Sequence, residues 1–453
     1  MTLYNGAEAC ITCEEPGRTV TQGRGHSRCY PYRPSVSRFP IRSSANILQL
    51  MNAATDRNRQ KGFKGVSGLA HLSKFNLVYG TVPDYMHCVL LGIVKTLMCR
   101  WFSPKESGKD YFVGKDLKQI SDRFLKIKPP YFIERLPRDL EKHYMHFKAT
   151  ELQAFLLFYS VPCLHGYLAE RFLQHFALLS EAIHILLGEN ITRDCLERSE
   201  FLLERFYSQF SVLYGEGSCG LNVHNACLHM PMYVRKLGPL WAWSCFSFED
   251  ANAMILQSVH GTGDVVKQAL RKQEIAMYIR SSDEIRKASR SKLKVTYKAQ
   301  NCDVLGALHR IERNLPACIR ESLGAENAEN LKKIQRVIVN GEKFYSAEYS
   351  RMKRRNCHAV LYSGDKFGLI QYFVLVQPSN KVYAVLKKID SNVDSWLCTY
   401  EAAKHLNPVV LTNSFNVVGV ESLNTTLLII DLENGQEAVV AKMPNRHGHA
   451  VMK

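Results

Sequence analysis

Two pairs of metal-binding residues stand far apart in this chain and constrain its fold more than any other feature. Cys10 and Cys13 form a Cys-x-x-Cys pair, and His224 and His229 form a His-x₄-His pair more than two hundred residues later. Two thiolates and two imidazoles are the ligands of a closed tetrahedral zinc site. If the two pairs meet, one ion ties the start of the chain to its middle, and the pattern therefore predicts a structural zinc site.

Two other interpretations of these residues remain open at this stage. The first is a local zinc knuckle, which closes a shorter loop at a smaller entropy cost. Its ligands would be Cys10, Cys13, His26 and Cys29. In the second, the thiols and imidazoles are ordinary buried or surface side chains. Residues five apart on an ideal helix are offset by about 140°, so His224 and His229 can share an ion only if the helix is bent, and Pro231 gives a reason for a bend.

The charge of the chain indicates the kind of partner it could bind. Its 59 basic and 42 acidic side chains give a net charge of +17. A basic surface of this kind favours a polyanion, because Lys and Arg release counterions when they neutralise phosphates. An unspecialised basic surface is the alternative.

Cysteine usage and hydropathy limit the compartment. The fourteen cysteines show no disulfide framework spacing, and no apolar leader follows Met1. We therefore expect a reducing compartment, where thiols stay free or bind metal. No run of about 18 apolar residues appears, so no membrane span is expected.

Hydrophobic periodicity divides the chain into two regions, one predicted to be helical and one predicted to be β-stranded. Residues 46–325 are predicted to be mainly α, because apolar residues recur with a period near 3.6. The predicted helices cover approximately 84–101, 150–187 with a break between Pro162 and Gly166, 192–214, 222–237, 247–259 and 264–280. After about Lys332 the period becomes two, which predicts short strands. The predicted strands are Gln335–Val339, His358–Tyr362, Gly368–Val376, Val382–Leu386, Val409–Leu411, Val417–Val420 and Leu427–Ile430.

These patterns give five segments. Residues 1–45 are expected to be irregular, 46–220 and 221–285 helical, and 286–331 a basic linker with a helix. Residues 332–453 are expected to form a small all-β barrel or sandwich. The order is therefore a helical region followed by a β domain.

Two acidic residues stand at predicted helix starts. Glu249 opens a helix for which Ser247 is the predicted N-cap, and its carboxylate complements the positive end of the helix dipole. Asp84 can cap the helix that follows it, with His87 one turn later on the same side. Capping accounts for both acids without any catalytic role.

Basic residues cluster in two runs that could contact phosphates. Their members are Arg286, Lys287, Arg290, Lys292, Lys294, Lys353, Arg354 and Arg355. A solvated surface is the alternative for both runs.

Several blocks of this sequence, in order, resemble the transposases of CACTA-type (En/Spm-like) DNA transposons. These blocks are Tyr4–Cys13, Tyr79–Lys95, Asn222–His224, Gly238–Trp241 and Phe246–Glu249. The chain is also distantly similar to the catalytic subunit of the V(D)J recombinase. That similarity comprises a Cys-x-x-Cys, a long helical insertion, a His-x₄-His and an acid about twenty residues later.

The resemblance implies an RNase H-like fold in which two aspartates and a glutamate hold two divalent metals. It implies that Glu249 is the third acid and that Asp84 and His87 form a supporting Asp-x-x-His motif. It also favours the split zinc set over the local knuckle. In these terms residues 1–45 are a remnant of the catalytic core, 46–220 a helical insertion, and 221–285 the helices that complete the core.

One departure from the family pattern governs the expected function. Both family aspartates should precede Cys10, and the nine residues before it contain no Asp. We therefore expect a truncated nuclear transposase that binds DNA without strand transfer, with Mg²⁺ needed only by an intact member. The alternative is a repurposed non-enzymatic nucleic-acid or chromatin-binding protein. Self-association is open under both interpretations.

Overall fold

The structure is a computed structural model, and it describes residues 6–23, 25–55, 57–281, 295–311, 319–321, 330–349, 351, 353–377, 379–432 and 435–445. Within these ranges a helical body is followed by a region of antiparallel strands, as the periodicity predicts. Among the described helices, none combines the length and the apolar character that crossing a bilayer requires.

Most of the helical body consists of α-helices joined by short turns. The α-helices are α1 (Ser44–Ala53), α2 (Lys95–Phe102), α3 (Leu117–Leu125), α4 (Leu140–His143), α5 (Ala149–Ala154), α6 (Ser160–Leu164), α7 (Glu170–Leu186), α8 (Arg193–Tyr214), α9 (Leu221–His224), α10 (Met230–Leu237), α11 (Phe246–Gln257) and α12 (Val265–Ser281). Three π-helical segments continue some of them: Met86–Val94 leads into α2, Phe155–Tyr159 joins α5 to α6, and Asn225–His229 joins α9 to α10. Short 3₁₀ turns lie at Ser35–Ser37, Gly68–His71, Pro104–Glu106, Gly114–Asp116, Tyr144–His146, Glu216–Ser218, Leu240–Trp243, Trp396–Thr399 and Val420–Ser422.

The longest helix shows how sequence signals set helix ends. The hydroxyl of Thr192 accepts a hydrogen bond from the Cys195 amide and caps the start of α8. Gly215 ends α8 with a φ of 82°, a conformation that glycine adopts without a steric penalty. The apolar faces of α7 and α8 pack into the main core, where the rings of Trp101 and Phe176 meet edge to face at 5.0 Å.

The strands form three antiparallel sheets within the described residues. The strands are β1 (Arg18–Gln22), β2 (Gly25–Cys29), β3 (Val295–Lys298), β4 (Asp303–Leu305), β5 (His309–Arg310), β6 (Leu331–Ile334), β7 (Arg336–Val339), β8 (Glu342–Tyr345), β9 (Ala359–Tyr362), β10 (Lys366–Val376), β11 (Lys381–Ser391), β12 (Leu406–Gly419), β13 (Leu423–Thr426), β14 (Leu428–Asp431) and β15 (Glu437–Ala441). A hairpin pairs β1 with β2, and a four-stranded sheet has the order β3-β4-β7-β8. The largest sheet has the order β13-β9-β10-β11-β12-β15-β14, with β6 paired to β10 and β5 to β6. Residues of the two larger sheets, such as Val337 and Phe373, share one core.

Three sequence predictions about element boundaries are wrong. The mainly α region does not extend to residue 325, because β3, β4 and β5 lie between Val295 and Arg310. These strands are too short to show a clear period, and Val304 is buried in a core formed with residues of later strands such as Val337 and Phe373. Residues 1–45 are not irregular throughout, since they contain the β1–β2 hairpin. Finally, the two strands predicted between 409 and 420 are one strand, β12, whose pairing with β11 continues past the polar residues at its middle.

The β region is not packed as a separate body. Leu406, Leu428, Ile430 and Val439 belong to the same apolar core as the residues of α7 and α8. The indole of Trp396 stacks on the imidazole of His165 at a centroid distance of 3.6 Å. This shared core joins two segments that the sequence pattern separates.

Arg355, in the β region, binds backbone carbonyls of the helical body. Its guanidinium donates hydrogen bonds to the carbonyls of Pro130, Ile133 and Glu134 at 2.7–2.8 Å. We expect Arg355→Ala to lower the free energy of unfolding by about 2–4 kcal/mol, because several carbonyls lose a charged donor. The exposed neighbour is the matched control, and Arg354→Ala should stay within about 0.5 kcal/mol. Urea unfolding of both variants checks this, and equal stabilities would contradict it.

Candidate metal centre

The two distant residue pairs converge at one buried point. Cys10, Cys13, His224 and His229 are each at most 3% exposed, and their donor atoms all lie within 4.8 Å of one another. The cysteines come from the segment before β1, whereas the histidines come from the continuous helix α9–α10. The cluster can hold a metal ion such as zinc.

A π-helical turn allows His224 and His229, which are five residues apart, to face the same side of the helix. The segment Asn225–His229 is π-helical, and the amide of Met230 donates to the carbonyl of Asn225 five residues earlier. This wider turn brings residues five apart towards one face, as an α-helix does for residues four apart. Pro231 follows in the first turn of α10, where its missing N–H is tolerated. The sequence indicates a bend here, and the structure shows which kind of bend aligns His224 with His229.

The donor separations match the edges of a zinc tetrahedron. Zn–S bonds of about 2.3 Å and Zn–N bonds of about 2.0–2.1 Å give edges of about 3.8 Å between sulfurs, 3.5 Å between sulfur and nitrogen and 3.3 Å between nitrogens. The sulfurs of Cys10 and Cys13 are 3.6 Å apart, and the Nε2 atoms of the two histidines are 3.0 Å apart. The Sγ–Nε2 distances are 3.4 Å from Cys10 to His229 and 3.3 Å from Cys13 to His224. The four donors therefore surround a space of the size of one zinc ion.

Several hydrogen bonds hold the cysteine loop against the helical body. The hydroxyl of Thr12, between the two cysteines, lies 2.9 Å from the hydroxyl of Tyr233 on α10, and that hydroxyl in turn donates to the carbonyl of Val78. The buried guanidinium of Arg42 donates to the carbonyl of Cys13 at 2.9 Å. Of these supporting residues, Arg42 and Val78 are distant from the ligands in the chain, so no local sequence signal identifies them.

Hydrogen bonds around His224 place its ring proton on Nδ1 and leave Nε2 facing the cluster. The hydroxyl of Tyr207 donates to the carbonyl of Tyr30 at 2.6 Å, which leaves its oxygen able to accept from Nδ1 of His224 at 3.4 Å. With the proton on Nδ1, the lone pair of Nε2 points at the cluster, which is the usual role of a residue behind a metal-binding histidine. Nδ1 of His229 is buried and has no hydrogen-bond partner in the described part of the chain.

Electrostatics at the cluster favour the metal-binding forms of Cys10 and His229. The hydrogen bond from the Cys13 thiol, joined by those from both imidazoles, lowers the pKa of Cys10 despite burial. The amide of Cys13 also lies 3.4 Å from the Cys10 sulfur. Burial lowers the pKa of His229, so its imidazole is neutral. The hydrogen bond to Cys10 raises the pKa of Cys13, and a cation bound to both sulfurs would favour its thiolate form.

The local knuckle is not assembled. The His26 ring is exposed on the hairpin, with Nδ1 3.4 Å from the hydroxyl of Thr21. The Cys29 sulfur lies next to Ser27. Among the described residues, neither belongs to a group of donors close enough to share an ion. The geometry therefore favours the split set that the resemblance implies.

A second cluster brings Asp84, His87 and Glu249 together. One carboxylate oxygen of Asp84 accepts from the amide of His87 at 2.9 Å and lies 2.8 Å from its Nδ1. Nε2 of the same imidazole is 3.8 Å from a carboxylate oxygen of Glu249. His87 thus bridges two acids that are 165 residues apart in sequence.

Asp84 links two helix starts, and this corrects one sequence prediction. Its second carboxylate oxygen accepts from the amide of Cys245 at 2.8 Å, directly before α11. Cys245 is the N-cap position of α11, and Ser247 lies inside the helix, so the predicted N-cap at Ser247 is wrong. Glu249 lies in the first turn, as predicted, with a side chain that is 55% exposed.

The predicted nucleic-acid-binding residues fall into three groups. Arg286, Lys287, Arg290, Lys292 and Lys294 lie outside the described residues. Lys353 and Arg354 are exposed. Arg355 is bonded to backbone carbonyls, so its role in the structure is to join the two regions.

Comparisons with known proteins do not assign a family to this chain. No family model matches it, and no curated protein matches it either. What the chain does must therefore be inferred from its residues and from the geometry described above.

Proposed function

We propose that this chain is a transposase-derived nuclear protein that binds DNA and carries one structural zinc ion. In this proposal Cys10, Cys13, His224 and His229 are the zinc ligands. Residues 221–281 correspond to the last helices of an RNase H-like core, with Glu249 in the place of the third acid. The chain by itself binds DNA without strand transfer.

The convergence of the two ligand pairs is the observation that carries the proposal. The resemblance implies that a Cys-x-x-Cys and a His-x₄-His separated by a helical insertion share one ion. The donor atoms of these four residues lie within 4.8 Å of one another. Loop closure over such a separation is entropically costly, so the convergence requires a compensating interaction, and a zinc ion provides one.

The second cluster supports the same proposal and limits the chemistry. Asp84 and His87 lie beside Glu249, as expected for a supporting motif near the third acid. Both oxygens of Asp84 accept hydrogen bonds from backbone amides, which supports a positioning role for this residue. Glu249 alone cannot hold two Mg²⁺ ions, which favours a DNA-binding rather than a cleaving role for the chain as it stands.

A repurposed non-enzymatic binder of nucleic acid or chromatin is the second candidate. The hydrogen bonds from two backbone amides to Asp84 favour it, because they give this acid a structural role that needs no reaction. Both candidates share the zinc ion and the basic surface. They differ in whether additional carboxylates complete a catalytic site.

DNA binding by the purified chain tests the proposal. With a net charge of +17, we expect the association constant for a DNA duplex to fall steeply and linearly with salt on logarithmic axes, with a slope near −0.9 per phosphate neutralised. Fluorescence anisotropy at several salt concentrations measures this slope. No cleavage is expected when Mg²⁺ is added. An association constant that does not change with salt concentration, or no binding at low salt, would contradict the proposal.

A further inference from the structure

A basic cleft lies where the helical body meets the β region. Its volume is about 630 Å³, which is within the range of ligand-binding pockets. One wall follows the end of α3, and the others come from the end of β8, the segment before β9 and the end of β14. Neither the zinc ligands nor the Glu249 cluster lines this cleft.

The charge of the cleft is strongly positive. Its described lining carries five cations and one carboxylate, Asp431. The cations are Arg123, Lys126, Lys128, Lys353 and Arg355. The two arginines donate hydrogen bonds to backbone carbonyls. The three lysines are exposed, and none of them forms an ion pair with a carboxylate of the described chain.

Two further features show that the cleft retains unsatisfied binding capacity. Ser346 lines it, is only 4% exposed, and has a hydroxyl with no hydrogen-bond partner among the described residues. His358 also lines it, and burial together with the charge of Lys128 lowers its pKa to about 4. The positive charge of Lys128 therefore acts on His358 inside the cleft and is not neutralised.

Aromatic rings stand beside these cations. Tyr345 and Tyr349 line the cleft with ring centroids 5.7 Å apart and an interplanar angle of 40°. The ring of Tyr131 lies next in the row, 6.2 Å from that of Tyr345. Both cleft tyrosines are half-buried, and the guanidinium of Arg336 lies over the Tyr349 ring, 4.6 Å from its centroid. Cations that follow a backbone and aromatic rings that stack on bases are the two components of a single-strand binding site.

We propose that this cleft binds a single-stranded segment of nucleic acid, with Lys126, Lys128 and Lys353 on its phosphates and Tyr345 and Tyr349 against its bases. A duplex can present phosphates to the lysines, but its bases are stacked inside and cannot reach the tyrosines. This inference extends the proposed DNA-binding function and depends on it.

Charge reversal in the full-length chain tests the lysines. The probe is a fluorescein-labelled oligothymidylate followed by anisotropy, with a duplex of the same length measured in parallel. Lys128→Glu should weaken oligothymidylate binding by about tenfold and reduce the salt slope by about 0.7 or more, the value for one phosphate on a single strand. Lys366→Glu is the matched control, because Lys366 is exposed and does not line the cleft. Equal effects of the two substitutions would overturn the inference.

Ring removal separates base stacking from general attraction to anions. Tyr345→Leu and Tyr349→Leu should each weaken oligothymidylate binding by about five- to tenfold, as expected for loss of one stacked base. Both should leave binding of inorganic polyphosphate unchanged. If they weaken polyphosphate binding equally, or weaken neither ligand, the cleft is not a single-strand site. If the chain binds duplex DNA but every cleft variant has the same affinity for oligothymidylate as the Lys366→Glu control, this inference alone is overturned. If the chain binds no nucleic acid at all, the proposed function is overturned as well.

Discussion

Loss of a single zinc ligand is expected to lower the free energy of unfolding of this chain by about 5 kcal/mol. Structural zinc contributes about 10–16 kcal/mol in small zinc-finger peptides, and part of this remains when three ligands can still bind. His229→Ala and Cys10→Ser should both show the loss, because each removes one corner of the same donor set. Urea unfolding followed by tryptophan fluorescence measures it. Since about 5–15 kcal/mol is the whole stability of a typical domain, these variants approach unfolding.

The rival knuckle supplies the matched control. His26→Ala makes the same substitution at an exposed histidine, and it should change stability by less than about 0.5 kcal/mol. A chelator should destabilise the His26→Ala variant as much as the unsubstituted chain and should have little further effect on His229→Ala. If the chelator instead has no effect on His26→Ala and a full effect on His229→Ala, the ion is bound at the knuckle.

Asp84→Ala is expected to lower the free energy of unfolding by about 2–4 kcal/mol, through two helix starts at once. Its carboxylate accepts hydrogen bonds from the amides of His87 and Cys245, at 2.9 and 2.8 Å. Removing it leaves both amides without this acceptor and frees the imidazole of His87. Thermal and urea unfolding measure the change.

Glu249→Ala is the control for Asp84→Ala. The Glu249 carboxylate is half exposed and lies near the partly exposed His87 ring, so its removal should change stability by less than about 0.5 kcal/mol. If Asp84 were instead a free metal-binding carboxylate, its removal would relieve charge repulsion and leave stability unchanged or higher. Equal or stabilising effects of the two substitutions would therefore contradict the positioning role of Asp84.

Much of the secondary structure follows from local sequence signals. The Thr192 cap and the Gly215 stop act within a few residues, so the helix they define is confirmed. The helix predicted over 84–101 is present, but it is π-helical over Met86–Val94 before it continues as α2. The long β12 strand was harder to predict, because its polar middle interrupts the alternation while cross-strand pairing with β11 continues.

The site itself could be predicted only in part. The four candidate metal ligands are recognisable by residue type and spacing, yet the spacing of His224 and His229 is wrong for an α-helix. A π-helical turn resolves the mismatch, and such a turn depends on packing around the helix rather than on residue type alone. The bond from Asp84 to the Cys245 amide spans 161 positions, so it has no local signature.

The sequence pattern also does not predict the apolar core that the helical body and the β region share. A change of period after Lys332 predicts a change of secondary structure, but it does not indicate whether the new elements pack on the old ones. Leu406 and Val439 are apolar strand residues like many others, and their burial against the helical body appears only in three dimensions. The five predicted segments therefore gave no indication of this shared core.

Zinc K-edge X-ray absorption on the full chain, combined with metal analysis, tests the central claim most directly. We predict one zinc ion per chain with two sulfur neighbours at about 2.3 Å and two nitrogen neighbours at about 2.0–2.1 Å. This is the shell that Cys10, Cys13, His224 and His229 provide. A shell of three sulfurs and one nitrogen would instead identify the local knuckle, and a chain that folds without zinc would contradict the claim altogether.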